Sequence, residues 1–279
     1  DLWSLLLTPS GGSTRGGKLQ VLSPEDRIDN LIAAEQFKAL TREIVAVAPA
    51  IVAHRTYSAF AFRSYLFSIN DGCGYSTCLS LFADLIEKHG LFRFDESRRV
   101  VEEKLLSPSS DKIDPFSPVT DVLRRYGKSG GMLLSIDISE WISQITHPRF
   151  RRFLSFLEDY SSRNIFVFRV PFLESQVLND LNAALKDILY VRPVAFPPMS
   201  MAQLRECADR ILAGYGFSAS EDAYDVFCAR VLEEKSDGRF YGINTVHKII
   251  CEMIYRKHLH DTQTHCDSSL ILVKDVAGL

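Results

Sequence analysis

The residues with a chemistry to offer lie first between positions 71 and 78, in the run Asp71-Gly72-Cys73-Gly74-Tyr75-Ser76-Thr77-Cys78. Glycines ahead of hydroxyl side chains suit a loop whose backbone N–H groups cradle phosphate oxygens, with a helix N-terminus behind them. The full pattern of such a loop is G-x-x-x-x-G-K-[ST], in which the lysine reaches the outer phosphates and the hydroxyl holds Mg²⁺. Gly74 takes the last glycine position and Ser76 the hydroxyl position. Tyr75 stands where the lysine belongs, and Ile69 where the first glycine belongs. The loop keeps its backbone donors and lacks its cation. Asp137 is the second candidate, closing the apolar run Met132-Leu-Leu-Ser-Ile-Asp. A strand-end carboxylate of this kind either ligates Mg²⁺ or caps a turn, and Ser76 either ligates Mg²⁺ or caps the following helix.

The flanking pattern supplies the elements that must position this loop. Tyr65–Ile69 reads as a buried strand, and Leu79, Phe82, Leu85 and Ile86 form one stripe of the helix that follows. Upstream, Ser23-Pro24-Glu25-Asp26 reads as a helix cap with proline at the first helical position. Leu31, Ile32, Phe37, Leu40 and Ile44 then recur at helical spacing. Downstream, strands at 100–105, 132–137, 165–170 and 190–196 alternate with helices near 119–126, 149–160 and 174–188. Such alternation predicts an α/β fold with a parallel sheet and helices on both faces. Pro197-Pro198 ends it. Ser200 to Gln203 is a capping box opening a helix to Tyr215, and helices near 221–234 and 244–258 complete an all-helical tail. The expected domains are therefore 1–22, a flexible linker or the end of a preceding domain; 23–198, the α/β domain; and 199–279, a small all-helical lid.

Bulk properties narrow the function classes. The chain has 279 residues, 46% of them hydrophobic and 24% charged, enough to bury a substantial core. A net charge of −3 gives no bulk attraction to nucleic acid or an anionic membrane. No apolar run approaches the roughly 18 residues of a membrane span. The six cysteines form no CxxC pair, which reads as free thiols in a cytoplasmic protein, with Cys73 and Cys78 as small buried hydrophobes. His258, His260, His265 and Cys266 are types that ligate zinc, yet residues two apart on a helix do not face each other, so no zinc is expected. Arg149, Arg151 and Arg152 read as a solvated helix face, with a pore contact as the alternative. The start lacks the basic region of a signal peptide and an initiating Met, as expected of a piece of something longer.

Four segments in order resemble the AAA+ modules of the CbxX/CfqX and stage V sporulation protein K type. RIDNLIAAEQFK (27–38) is similar to that family's D-x-L-I-G entry, and GGMLLSIDIS (130–139) to its G-V-L-F-I-D-E-A strand. FPPMSMAQL (196–204) is similar to its F-P-P-Y junction, and GINTVHKII (242–250) lies where G-N-A-R-x-V-R would fall. The resemblance implies a P-loop NTPase-type sheet followed by a helical lid. It implies ATP or ADP held by Gly72, Cys73, Gly74, Tyr75, Ser76, Thr77 and Asp137, with Ile28, Ile32 and Val246 as candidate adenine contacts and Mg²⁺ on Ser76 and Asp137.

The departures from that family fall on the charged groups. Tyr75 replaces the lysine, and Ile138 replaces the glutamate that positions the attacking water. The segment 184–189 carries no arginine for a neighbouring active site, and Asn244 or Thr245 replaces the lid arginine. An arginine finger alone is worth about 10³–10⁵ in rate. The expectation is a pseudo-ATPase, a structural or regulatory subunit whose natural partner is another AAA+ module in cis or in trans, with nucleotide bound weakly or not at all. The alternatives are a sensor that holds ATP or ADP without hydrolysis, and a slow ATP hydrolase remodelling a protein client. The last needs a replacement cation, for which Lys88, Arg63 and Lys128 are the candidates. Binding to a membrane or to nucleic acid is not expected.

Overall fold

A computed structural model describes residues 22–109, 113–264 and 268–276. The expectation for positions 1–21 and the ligand types at His265 and Cys266 lie outside the described residues. The chain groups into two compact units. One comprises Ala34–Asn70 and Cys78–Pro197; the other takes the chain up to Ala33, Asp71–Thr77 and Pro198–Leu279.

The first unit is built on five parallel strands in the order β2-β3-β4-β1-β5. These are β1 (Ser64–Ser68), β2 (Val100–Lys104), β3 (Leu133–Asp137), β4 (Ile165–Val170) and β5 (Val191–Ala195). Strand β1 shows why the sheet is covered on both faces. Alternate side chains of a strand point to opposite faces. Tyr65 and Phe67 join Phe37, Phe82 and Phe196 in an aromatic cluster, with Tyr65 and Phe82 edge to face at 4.9 Å. Leu66 joins the other core, with Leu134, Ile136, Phe166, Phe168, Leu154 and Trp141. Helix α2 (Glu35–His54) and α4 (Tyr75–Lys88) supply Phe37 and Phe82 to the first cluster. The opposite core takes its apolar side chains from α5 (Ser117–Val122), α6 (Pro148–Glu158) and α7 (Ser175–Lys186). A five-residue helix, α3 (Tyr57–Ala61), and a 3₁₀ turn at Ser139–Gln144 lie outside the expected elements.

A π-helical turn, Leu123–Gly127, ends α5. Gly127 is tightly enclosed there: an added Cβ would lie 2.6 Å from the Tyr160 ring.

The second unit opens with α1 (Pro24–Asp29), where Ser23 and Asp26 form a reciprocal capping box. Its core is assembled by α8 (Met201–Gly214), α9 (Glu221–Ser236) and α10 (Gly242–Thr264). The capping box of α8 is present as its sequence foretold, Gln203 N donating to Ser200 Oγ and Ser200 N to the Gln203 amide oxygen at 2.9 Å. The helical region carries one addition, a parallel pair of two-residue strands, β6 (Ser218–Ala219) and β7 (Leu270–Ile271). Pairs this short have no sequence period to reveal them. No described helix is long and apolar enough to cross a membrane.

Candidate functional site

Asp137 ends β3, and the register sets it beside Arg169 of β4. Arg169 Nη1 donates to Asp137 Oδ2 at 3.1 Å, and both side chains are largely buried. The other oxygen, Oδ1, accepts from Ser139 N at 2.9 Å and Ser139 Oγ at 2.5 Å. The carboxylate therefore caps the turn into the 3₁₀ segment and carries its own counter-charge. Ile138, at the position of the water-positioning glutamate, is fully buried, so no carboxylate stands beside Asp137 there.

Arg169 was missed in the sequence. The signal was present: a charged side chain inside the apolar run Ile165-Phe-Val-Phe-Arg-Val170 demands a partner when its strand lies between two others. The three cations proposed as replacements stand elsewhere. Arg63 precedes the first residue of β1, Lys128 lies ahead of β3, and Lys88 closes α4 at the end opposite Tyr75. In a parallel sheet the residues before β1 and β3 belong to the edge opposite Ser68 and Asp137. Among these four groups, Arg169 alone reaches the carboxyl ends of the strands.

The strand end that feeds the loop is fixed by its neighbours. Ser68 Oγ donates to Pro171 O at 3.1 Å and accepts from Leu173 N at 2.7 Å, and Asn70 Oδ1 accepts from Phe172 N at 3.0 Å.

The loop residues themselves, 71–77, belong to the second unit with Ile32 and Val246. Gly72 and Gly74 adopt φ of +72° and +85°, the left-handed conformation that only glycine takes without strain. A Cβ on Gly72 would meet Tyr241 O at 2.4 Å, and one on Gly242 would meet Gly72 O at 2.5 Å and Cys73 N at 3.2 Å. Ile243 N donates to Gly72 O at 3.0 Å. The segment 241–243, leading into α10, thus packs backbone to backbone on the first half of the loop. Thr245 Oγ1 accepts from Tyr241 N at 2.7 Å and holds that segment in place.

Helix α4 begins at Tyr75, so Ser76 is its second residue and the cap position falls on Gly74 rather than on Ser76. Tyr75 is buried at 7% exposure, with no ammonium in its place. Val246 is fully buried in the helical core and Ile32 packs against the same cluster. Ile28 is buried as well, so all three residues read as adenine contacts are already in contact with protein.

The position of the phosphate-binding lysine holds a buried phenol. The carboxylate at the metal position is neutralised by a guanidinium.

Farther along α10, His260 Nδ1 lies 2.9 Å from Asp275 Oδ1. The ligand atoms of His260, Asp261 and Asp275 fall within 4.8 Å of one another. Lys257 Nζ is 2.5 Å from Asp261 and 3.7 Å from Asp275, so an ammonium supplies the positive charge there. Cys207 is enclosed, and burial pushes its thiol up to about 12.

No protein-family model matches the chain and no curated protein matches it. Solved structures do. RuvB, the Holliday junction branch migration motor of Thermotoga maritima, superimposes with a TM-score of 0.53 at 12% identity, over 89% of this chain and 69% of that one. A variant of that protein gives 0.52 at 14% identity, over 92% and 71%. A second variant gives 0.54 at 12% identity. Identity this low establishes the fold alone: a P-loop-type α/β unit with a helical C-terminal region.

Proposed function

We propose that this chain is a catalytically degenerate AAA+ module, a structural or regulatory subunit that acts without hydrolysing ATP. The observation that carries the reading is the Asp137–Arg169 pair. A carboxylate that binds Mg²⁺ must offer its oxygens to the metal, whereas Asp137 gives one to a guanidinium and the other to Ser139. Three features add support: the buried Tyr75 at the lysine position, the buried Ile138 at the glutamate position, and the 241–243 segment packed on Gly72 and Cys73. Phosphoryl transfer is catalysed almost wholly by positioning and charge, and those charges are missing together.

The partner consistent with this fold is a second AAA+ module, in cis or in trans, joined head to tail. A protein client of that assembly and a cytoplasmic setting remain part of the proposal. The DNA function in the name of the structural neighbours belongs to those proteins; a net charge of −3 gives no support for it here.

The second reading is a sensor that holds ATP or ADP without hydrolysis. What favours it is the loop backbone, whose two glycines keep the left-handed conformations.

Turnover tests the proposal. The wild-type chain and Tyr75→Lys both lack Mg²⁺-dependent ATP hydrolysis above the uncatalysed rate, because a restored lysine leaves the glutamate position apolar. Multiple turnover by the wild-type chain, abolished in Asp137→Ala, would overturn it.

A further inference from the structure

A pocket of about 260 Å³ opens in the sheet-bearing unit between α5 with its π-turn and α6. Its chemistry is unlike that of the loop. Three guanidinium groups line it, Arg124, Arg149 and Arg152, against one carboxylate, Asp114. With Asp121 beside Arg124, three positive charges face two negative ones, a local excess of one in a chain that is net negative. The ion pairs that draw on these arginines are loose and exposed. Arg149 stands 3.8 Å from Asp114, and Arg124 stands 3.6 Å from Asp121. Exposed pairs at such distances contribute at most about 1 kcal/mol. Arg152 makes no ion pair among the described residues.

The remaining wall is aromatic. Phe116 and Phe153 stack at 4.7 Å with their planes 17° apart, and the Arg124 guanidinium lies 5.9 Å from the Phe156 ring centre. Thr120, also in the wall, has a buried hydroxyl with no hydrogen-bond partner.

The ligand follows from charge, size and surface. Guanidinium forks match the oxygens of phosphate in bidentate fashion. Three guanidinium groups around one cavity can share the three terminal oxygens of a phosphate monoester, where a carboxylate offers only two. The volume lies below the roughly 300–1,000 Å³ of drug-sized sites, so it holds one ring and one anionic group. Polynucleotide offers a monoanion at each phosphate and a succession of bases, which this single pocket does not accommodate. We propose that the pocket binds a phosphate monoester carried on a single aromatic ring. The source of that chemistry is either a free aryl phosphate or a phosphotyrosyl side chain of another protein. None of the loop residues takes part, so this site and the reading of the loop stand or fall separately.

Calorimetric titration of the whole chain tests it, with phenyl phosphate, inorganic phosphate and benzoate as probes. Phenyl phosphate is expected to bind saturably and about tenfold more tightly than either of the other two, each of which lacks one half of the recognised group. Arg124→Gln and Arg152→Gln each weaken that binding about tenfold, the usual effect of one hydrogen bond to a charged group. Both side chains lie at the surface of their helices, and an unchanged melting curve confirms that each variant folds. A phosphotyrosyl peptide binding more tightly than phenyl phosphate assigns the source to a protein, and equal or weaker binding assigns it to a small molecule. Phenyl phosphate binding no more tightly than inorganic phosphate would overturn the proposal. So would binding that both arginine variants leave untouched.

Discussion

Arg169 governs Asp137. Neither side chain is more than about a fifth exposed, and each neutralises the other. Removing one member of a largely buried pair leaves a charge without its partner, which costs about 1–3 kcal/mol when some solvent reaches it. Arg169→Ala is therefore expected to lower the unfolding free energy by an amount in that range, read as a lower urea midpoint at an unchanged m-value. An unshifted midpoint would mean the pair contributes nothing. His247 gives a second test at this scale. It sits on α10 with Tyr215 Oη at 3.1 Å from Nε2 and Cys251 Sγ at 3.5 Å. Burial lowers its proton affinity below the ordinary value of 6.5. As pH falls through that value the unfolded chain takes up the proton before the folded chain does, so the unfolded state gains. Stability is full above this window and declines as pH drops below it. His247→Gln flattens the decline between about pH 7 and 5.5, and a slope identical to wild type would remove His247 as its cause. Residues of this kind were only partly legible in the sequence. Tyr75 and Ile138 could be read directly as substitutions in a pattern. Arg169 could not, because its role depends on which strands neighbour β4.

Among the elements, the segment 64–88 was legible as strand, turn and helix, since each part carries a period or a glycine of its own. What covers the loop was not. Tyr241, Gly242 and Ile243 are about 170 positions away in the chain, and their approach to Gly72 depends on tertiary packing rather than local pattern. The glycine at 242 has a physical reason: with φ of +53° its absent side chain leaves room for Gly72 O and Cys73 N. Gly242→Ala sets a Cβ against backbone that cannot swing aside. It is expected to cost about 1–3 kcal/mol, read as a lower melting temperature. It also loosens the loop, read as faster amide exchange at Gly72 through Ser76. A substitution that leaves both quantities unchanged would show that the segment does not clasp the loop. The same contrast between local and distant information explains the helix boundaries. Ser23 announces its helix as a cap followed by proline and Ser200 through a capping box, whereas α3 and the β6–β7 pair are too short to show a period.

For the whole molecule, alternation of strands and helices was enough to reach a parallel α/β sheet with a helical C-terminal region, because buried parallel strands read as apolar runs and each crossover helix carries its own stripe. The strand order was not in the pattern. The order β2-β3-β4-β1-β5 is what makes Asp137 and Arg169 neighbours and sets Ser68 beside the 171–173 segment. The Asp137–Arg169 pair is thus a property of the assembled sheet, and the proposal it supports has a whole-molecule observable. A ligand that binds only the folded chain raises its melting temperature by mass action, by about 2.7 kcal/mol of added stability at a hundredfold excess over Kd. The measurement that bears most directly on this account is calorimetric and thermal titration of the chain with ATP and ADP, each with Mg²⁺. The account predicts heats at the level of dilution and a melting temperature unmoved by millimolar nucleotide. Saturable heat with a rising melting temperature, weakened by Ser76→Ala and by Asp137→Ala, would contradict it and show that the loop grips nucleotide without its lysine.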